Sequence, residues 1–135
     1  MSKFLPLAFL VLLLSSCIGD ESPATELRDS LQGSRWRVDF FEDEGRNETS
    51  DFANWELEFA PDGVLRAYFN QRLNASGTWR TVRDDGQEEL WLSLPGFPNL
   101  EELNEDWYVV ERRDNLIRME DQDENFIDKL HLRRN

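Results

Sequence analysis

The sequence predicts an all-β domain, an eight-stranded antiparallel up-and-down barrel preceded by one short helix, and three observations carry that reading. From Ser34 to the C-terminus, apolar and polar residues alternate with period two in eight separate runs, the mark of strands with one buried face. Most runs are joined by short segments rich in Asp, Asn, Gly and Pro, which turn the chain directly back on itself. No helical pattern in that span is long enough for a crossover between parallel strands, so neighbours pair as hairpins. Closure of eight such strands removes the exposed edges that an open meander would leave. A two-sheet sandwich is the alternative arrangement.

Taken in order, residues 23–31 (PATELRDSL) place Ala24, Leu27 and Leu31 at helical spacing, with Thr25 or Ser22 available as N-cap and Gly33 ending the helix. The first strand sets Trp36, Val38 and Phe40 against Arg35, Arg37 and Asp39. Residues 42–51 read as a polar loop. Trp55, Leu57 and Phe59 alternate with Glu56 and Glu58 in the second strand, and Pro61-Asp62-Gly63 turns into the third, with Leu65, Ala67 and Phe69 inward. After a connection at residues 70–74, the fourth strand places Trp79 and Thr81 on one face, and Gly77 marks a bulge or a close approach. Asp84-Asp85-Gly86 leads to Leu90, Leu92 and Leu94 in the fifth. Beyond the break at residues 95–98, residues 99–105 suit a single helical turn. The sixth strand runs from Trp107 through Val109, the seventh over residues 116–120, and the last over residues 127–134 with Leu130 and Leu132 inward.

Ahead of this domain lies a differently built segment. One Lys, an apolar run over residues 4–14 and the sequence Leu14-Ser15-Ser16-Cys17 follow the three-part layout of a secretory signal, with an apolar region too short to span a bilayer. Its ending resembles the lipobox of bacterial lipoproteins, and the resemblance implies cleavage before Cys17 and acylation of that residue. The expected organisation is a signal peptide at 1–16, a lipidated Cys and tether at 17–23, and a barrel domain at 24–135. More than one acyl chain, as the resemblance implies, anchors a protein stably without a transmembrane helix. Asp20-Glu21 resembles the acidic surface-export signal of Bacteroidetes lipoproteins, and reads equally as part of a solvated linker. The expected location is the bacterial cell envelope, lipid-anchored at the outer membrane on its periplasmic or surface face.

Composition narrows the function further. The chain holds 28 Asp and Glu against 15 Lys and Arg, a net charge of −13, which disfavours nucleic acid and anionic lipid surfaces as partners. Cys17 is the only cysteine, so acylation leaves no disulfide, no thiolate nucleophile and no thiolate metal site. Five Trp and nine Phe argue for a packed core despite the acidity.

The short helix, Gly33-Ser34-Arg35-Trp36 opening the first strand and the eight-strand meander together resemble the lipocalin-like (calycin) group, in particular its small bacterial lipoproteins. Lipocalins usually have Gly-X-Trp at this point and an Arg from the last strand packed across that Trp. Here the spacing is Gly-X-X-Trp, and either Arg133 or Arg134 is the partner. The resemblance implies binding of a small apolar ligand, with Trp36, Trp55, Trp79 and Trp107 as the inward candidates for its lining. An eight-stranded barrel is just wide enough to be filled by its own side chains or to hold one small ligand. The other reading is therefore a filled barrel, without a pocket, that acts through an envelope protein partner.

No catalytic constellation stands out, so a non-enzyme is expected. His131 is the only histidine and falls on the outward face of the last strand, without a paired nucleophile. Adjacent carboxylates at Glu101-Glu102 and Asp84-Asp85 are what a chain this acidic produces by chance. The run over residues 121–125 lacks the Gly and distal Glu of a calcium loop, so neither a metal nor a cofactor is expected. Asn47-Glu48-Thr49 and Asn74-Ala75-Ser76 match a glycosylation pattern that a bacterial lipoprotein would not normally use.

Overall fold

A computed structural model describes residues 24–135 of the chain. The signal segment, Cys17, the tether and the Ser22 cap all lie outside the described residues. Helix α1 (Thr25–Leu31) precedes strands β1 (Arg35–Asp43), β2 (Arg46–Asn47), β3 (Trp55–Phe59), β4 (Val64–Phe69), β5 (Arg72–Asp84), β6 (Gln87–Ser93), β7 (Asp106–Arg113), β8 (Leu116–Gln122) and β9 (Ile127–Arg134). A 3-10 helix, Thr49–Phe52, lies between β2 and β3, and the short helix α2 (Pro98–Glu101) lies between β6 and β7. Every sheet pairing is antiparallel, and β9 returns to pair with β1, so β1 and β3 to β9 close an eight-stranded up-and-down barrel. Strand β2 only extends the tip of β1.

The barrel has two distinct ends. At one, which we call the helix end, Leu27 and Leu31 of α1 are fully buried, and Thr81 donates its hydroxyl to the Ala24 carbonyl at 3.0 Å. Among the described residues no side chain caps α1, so Thr25 does not play the predicted part. The β3–β4, β5–β6 and β7–β8 turns lie at this end. At the other end, the mouth, stand the β1–β2 and β4–β5 turns, the 3-10 helix, α2 and the β8–β9 loop.

Between them, the interior is filled. Trp36, Leu65, Leu90, Ile117, Met119, Leu130 and Leu132 have no exposed surface, and Phe41, Leu57, Phe59 and Trp107 retain only 1 %. Phe41 meets Phe52 and Trp107 edge-on, at centroid separations of 5.0 and 6.2 Å. Such a layer of interlocked rings belongs to a packed core.

Three irregularities depart from the simple alternation. Val38 faces Leu132 and Phe40 faces His131, which leaves Asp39 as an extra residue in β1. The bulge reverses the phase: Phe41 turns inward, while Phe40, expected in the core, turns outward and rests 5.0 Å from the His131 ring. Asp39 is held there by two hydrogen bonds from Arg133, 3.1 and 3.2 Å. A second bulge at Val110 divides β7. The third is at Asn74, because Ala67 faces Ala75 while Tyr68 faces Leu73.

Two connections are also tighter than expected. The β4–β5 turn consists only of Asn70 and Gln71, both with positive φ (49° and 71°), so β5 begins at Arg72 rather than after Asn74. The segment expected as a loop at residues 42–51 instead holds the β1–β2 hairpin and the start of the 3-10 helix. Gly77 makes the close approach expected of it: a Cβ there would sit 1.8 Å from the Ser93 carbonyl oxygen.

Candidate functional site

The four tryptophans expected to face inward occupy two kinds of place. Trp36, Trp79 and Trp107 are core residues whose indole N–H groups donate to backbone carbonyls of Leu31, Ala60 and Leu103, each at 2.9 Å. These bonds satisfy a buried donor and tie three connecting segments to the barrel wall. Trp55 is different, being only partly buried, with its ring against those of Phe69 and Phe97 at centroid separations of 5.1 and 5.7 Å.

Strand geometry explains why Trp55 stands at the rim. β1 and β3 pair only at Arg35–Glu58 and Trp36–Leu57, and then separate. The 3-10 helix fills the gap and drives Phe52 into the core, 2 % exposed. Trp55 follows as the last inward residue before the mouth. Phe69 ends β4 beside it, and Phe97 arrives from the β6–β7 connection; both are 37 % exposed.

Two clefts meet at this ring. One, about 500 Å³, follows the splayed β1–β3 seam, where Arg37, Glu56, Gln71 and Asn135 already hydrogen-bond among themselves or with neighbours. The other, about 370 Å³, opens at the mouth and is lined by Asp51, Trp55, Phe69, Asn74, Phe97 and Asn99, together with Ala53. Its aromatic floor is apolar and its edges are polar. The Asn74 bulge brings that amide to the cleft, where it donates to the Arg72 carbonyl at 2.9 Å, while its own oxygen accepts no hydrogen bond among the described residues. Among the described residues, the side chains of Asp51 and Asn99 form no hydrogen bond.

The mouth is also crowded with acids. Carboxylate oxygens of Asp43, Glu48 and Glu102 lie within 4.8 Å of one another. Loss of hydration, a hydrogen bond to Glu48 and the charges of Glu48, Asp43 and Asp51 push the Glu102 carboxyl up to about 7. Glu105 is likewise raised to about 7 by desolvation and by its hydrogen bond to Asp121. Desolvation and the Asp128 charge raise Asp43 as well. Glu102 and Glu105 are exposed as whole residues, so water screens part of the repulsion. Oxygen-only triads of this kind suit a hard cation such as calcium, and a shared proton relieves the same repulsion.

Other sequence candidates have structural roles. The Asp123 carboxylate accepts from the Asn125 and Phe126 amides at 2.9 and 2.8 Å, so the acidic run over residues 121–125 forms a capped turn. Asn47 in the same way accepts from the Thr49 amide at 3.0 Å. His131 is partly buried against Phe40, and that burial lowers its pKa. The Glu48–Glu102 pair and the Trp55–Phe97 contact join residues far apart in the chain and left no local signal.

No protein-family model, no curated protein and no solved structure matches this chain.

Proposed function

We propose that this protein is a lipid-anchored, non-enzymatic binding module of the bacterial cell envelope, which takes its ligand on the aromatic rim of the barrel mouth. The observation that carries the reading is Trp55: it is the one candidate lining residue that is not committed to the core, and both mouth-side clefts include it. The filled interior favours the rim over the barrel lumen as the place of contact. The lipocalin-like resemblance supports ligand binding as an analogy of fold.

The anchor fits this placement. Six residues separate Cys17 from Ala24, and at roughly 3.5 Å each they reach about 20 Å. Since Ala24 is fixed at the helix end, acylated Cys17 turns that end toward the bilayer and the mouth away from it. Replacement of Cys17 by Ala should release the protein from membranes or leave it unprocessed; unchanged fractionation and mass would overturn the anchoring.

Hydroxyl-radical footprinting of the full-length protein, on intact cells and after purification, tests the rim. Protection of Trp55, Phe69 and Phe97 in cells that disappears on purification is expected, with Trp91, on the outward face of β6 beneath the Arg80 guanidinium, unchanged. Equal labelling in both states would overturn the reading. A second reading, a filled barrel docking a basic envelope protein, is favoured by the acids around the mouth. It predicts protection spreading from the aromatic rings to Glu101 and to residues 121–125.

A further inference from the structure

We infer that the mouth cleft is a subsite for a neutral saccharide, with the sugar ring stacked on one face of the edge-on Trp55–Phe97 pair and its hydroxyls met by Asp51, Asn74 and Asn99. The inference rests on the binding-module reading above and names the ligand class for it.

The arrangement of the rings comes first. Trp55 touches Phe69 at 5.1 Å and Phe97 at 5.7 Å, with interplanar angles of 47° and 70°. Rings in mutual contact leave no space between them for a group to enter, and at 47° and 70° to one another they offer separate tilted faces to the cleft and not a cage. A quaternary ammonium group prefers to be enclosed by several aromatic faces, and these rings cannot enclose one. A single ring face edged by its neighbour suits a ligand with one apolar face, which a pyranose ring presents through its axial C–H groups.

The polar edge then decides between a sugar and a hydrocarbon. An acyl chain or other wholly apolar ligand would leave the exposed Asp51, Asn74 and Asn99 side chains to water and gain nothing from them, whereas a ligand that carries hydroxyls can bond to them. Hydroxyl groups both donate and accept. They satisfy the Asp51 carboxylate as donors, the Asn74 oxygen as donors, and the Asn99 amide in either sense. An anionic ligand is disfavoured by Asp51 itself and by the neighbouring carboxylates of Asp43, Glu48 and Glu102. At about 370 Å³ the cleft has the size of a small-ligand pocket.

Separate irregular elements supply these three polar groups. Asn74 is there because the β5 bulge adds one residue opposite the end of β4, and bulges at barrel rims are known to re-aim side chains. Asn99 stands on α2, immediately after the Pro98 that begins it. Asp51 stands on the 3-10 helix that separates β1 from β3.

Calorimetric titration of the full-length protein in lipid nanodiscs with hexasaccharides of α-glucan, β-glucan, xylan and mannan tests the assignment, with sodium decanoate and tetramethylammonium chloride as separate arms. At least one neutral hexasaccharide should bind with a Kd of about 1 mM or tighter. Phe97→Ala and Trp55→Ala should each weaken it by about tenfold or more, and Asn99→Ala by several-fold, whereas Trp91→Phe should leave it unchanged. Phe97 lies outside the strands, so its variant reports on the cleft even where Trp55→Ala disturbs folding; unchanged thermal unfolding of Phe97→Ala establishes this. Saccharide binding indifferent to Phe97→Ala, or no saccharide binding, overturns the assignment. Trp55-dependent binding of decanoate or tetramethylammonium alone overturns the saccharide and leaves the rim reading standing, and no Trp55-dependent binding in any arm removes both.

Discussion

Arg134 lies across the face of Trp36, its Cζ 4.7 Å from the ring centroid, and fastens the last strand to the first turn of the barrel. The same guanidinium donates to the Ser30 carbonyl at 2.6 Å, the Ser34 hydroxyl at 3.0 Å and the Asp114 carbonyl at 2.9 Å. Trp36 in turn donates to Leu31. One side chain thereby joins α1, the turn after it, the β7–β8 turn and the core tryptophan. Arg133, the other basic residue that could have reached Trp36, points to Asp39 instead.

Removing this fork should therefore cost more than a surface ion pair. For Arg134→Ala we expect a loss of roughly 2–3 kcal/mol in urea unfolding, from the cation–π contact and the hydrogen bonds together. Arg134→Lys keeps the charge but cannot serve three acceptors in one plane, and should recover only part of the loss. Equal stability of Arg134→Ala and the parent would show that the fork is incidental.

Gly77 offers a sharper steric test. Because an added methyl would collide with the Ser93 backbone, which cannot swing away as a side chain can, Gly77→Ala should destabilise by about 3 kcal/mol or more. Gly86, at a φ of 78° with open space around it, should lose only about 1 kcal/mol on the same substitution. Calorimetric unfolding of the two variants should rank them in that order.

The mouth carboxyls predict how stability depends on pH. Glu102 and Glu105 titrate near 7 when folded and near 4.5 when unfolded, so between those values the folded chain binds more protons than the unfolded one. Their contribution to stability must then fall as pH rises from about 4.5 to about 7 and level off above, against a smaller opposite contribution from the single His131, whose lowered pKa favours the folded chain as pH rises toward 6.5. Glu111, lowered by its hydrogen bond to Arg118, and Asp123, lowered by backbone amides, act in the opposite sense and lose their contribution at lower pH. The optimum should lie on the acidic side of neutrality. Glu102→Gln should be more stable than the parent at pH 8 and nearly equal to it at pH 5. A parent stability that rises steadily from pH 5 to pH 8 would contradict the arrangement.

What could be read from the chain was whatever repeats locally. The alternating runs, the Pro61-Asp62-Gly63 turn and the close approach at Gly77 each depend on residues within one hairpin. The phase slip at Asp39 was hidden because Phe40 and Phe41 are equally apolar, so the alternation can lose a step without any change in composition. Gln71 concealed the tight β4–β5 turn, since it adopts a positive φ where Gly or Asn would be the usual signal. Of the mouth only Trp55 could be read, because Asp51, Trp55, Asn74 and Phe97 come from four separate elements and meet only once the barrel has closed.

Phe52 shows how much one apolar residue in a polar segment can decide. It is 2 % exposed and edge-on to Phe41, and it seals the gap left where β1 and β3 cease to pair. Truncation leaves a void between the core and the β1–β3 cleft that only rearrangement of the 3-10 helix could fill, so Phe52→Ala should cost about 3–5 kcal/mol. The same void joins the interior to solvent, and a hydrophobic dye should gain fluorescence in this variant under native conditions while the parent stays dark. Ser50→Ala, one turn away and exposed, should change neither reading. If Phe52→Ala were as stable as the parent, closure of the barrel would rest on the two β1–β3 residue pairs alone, and the 3-10 helix would be a covering rather than a seal.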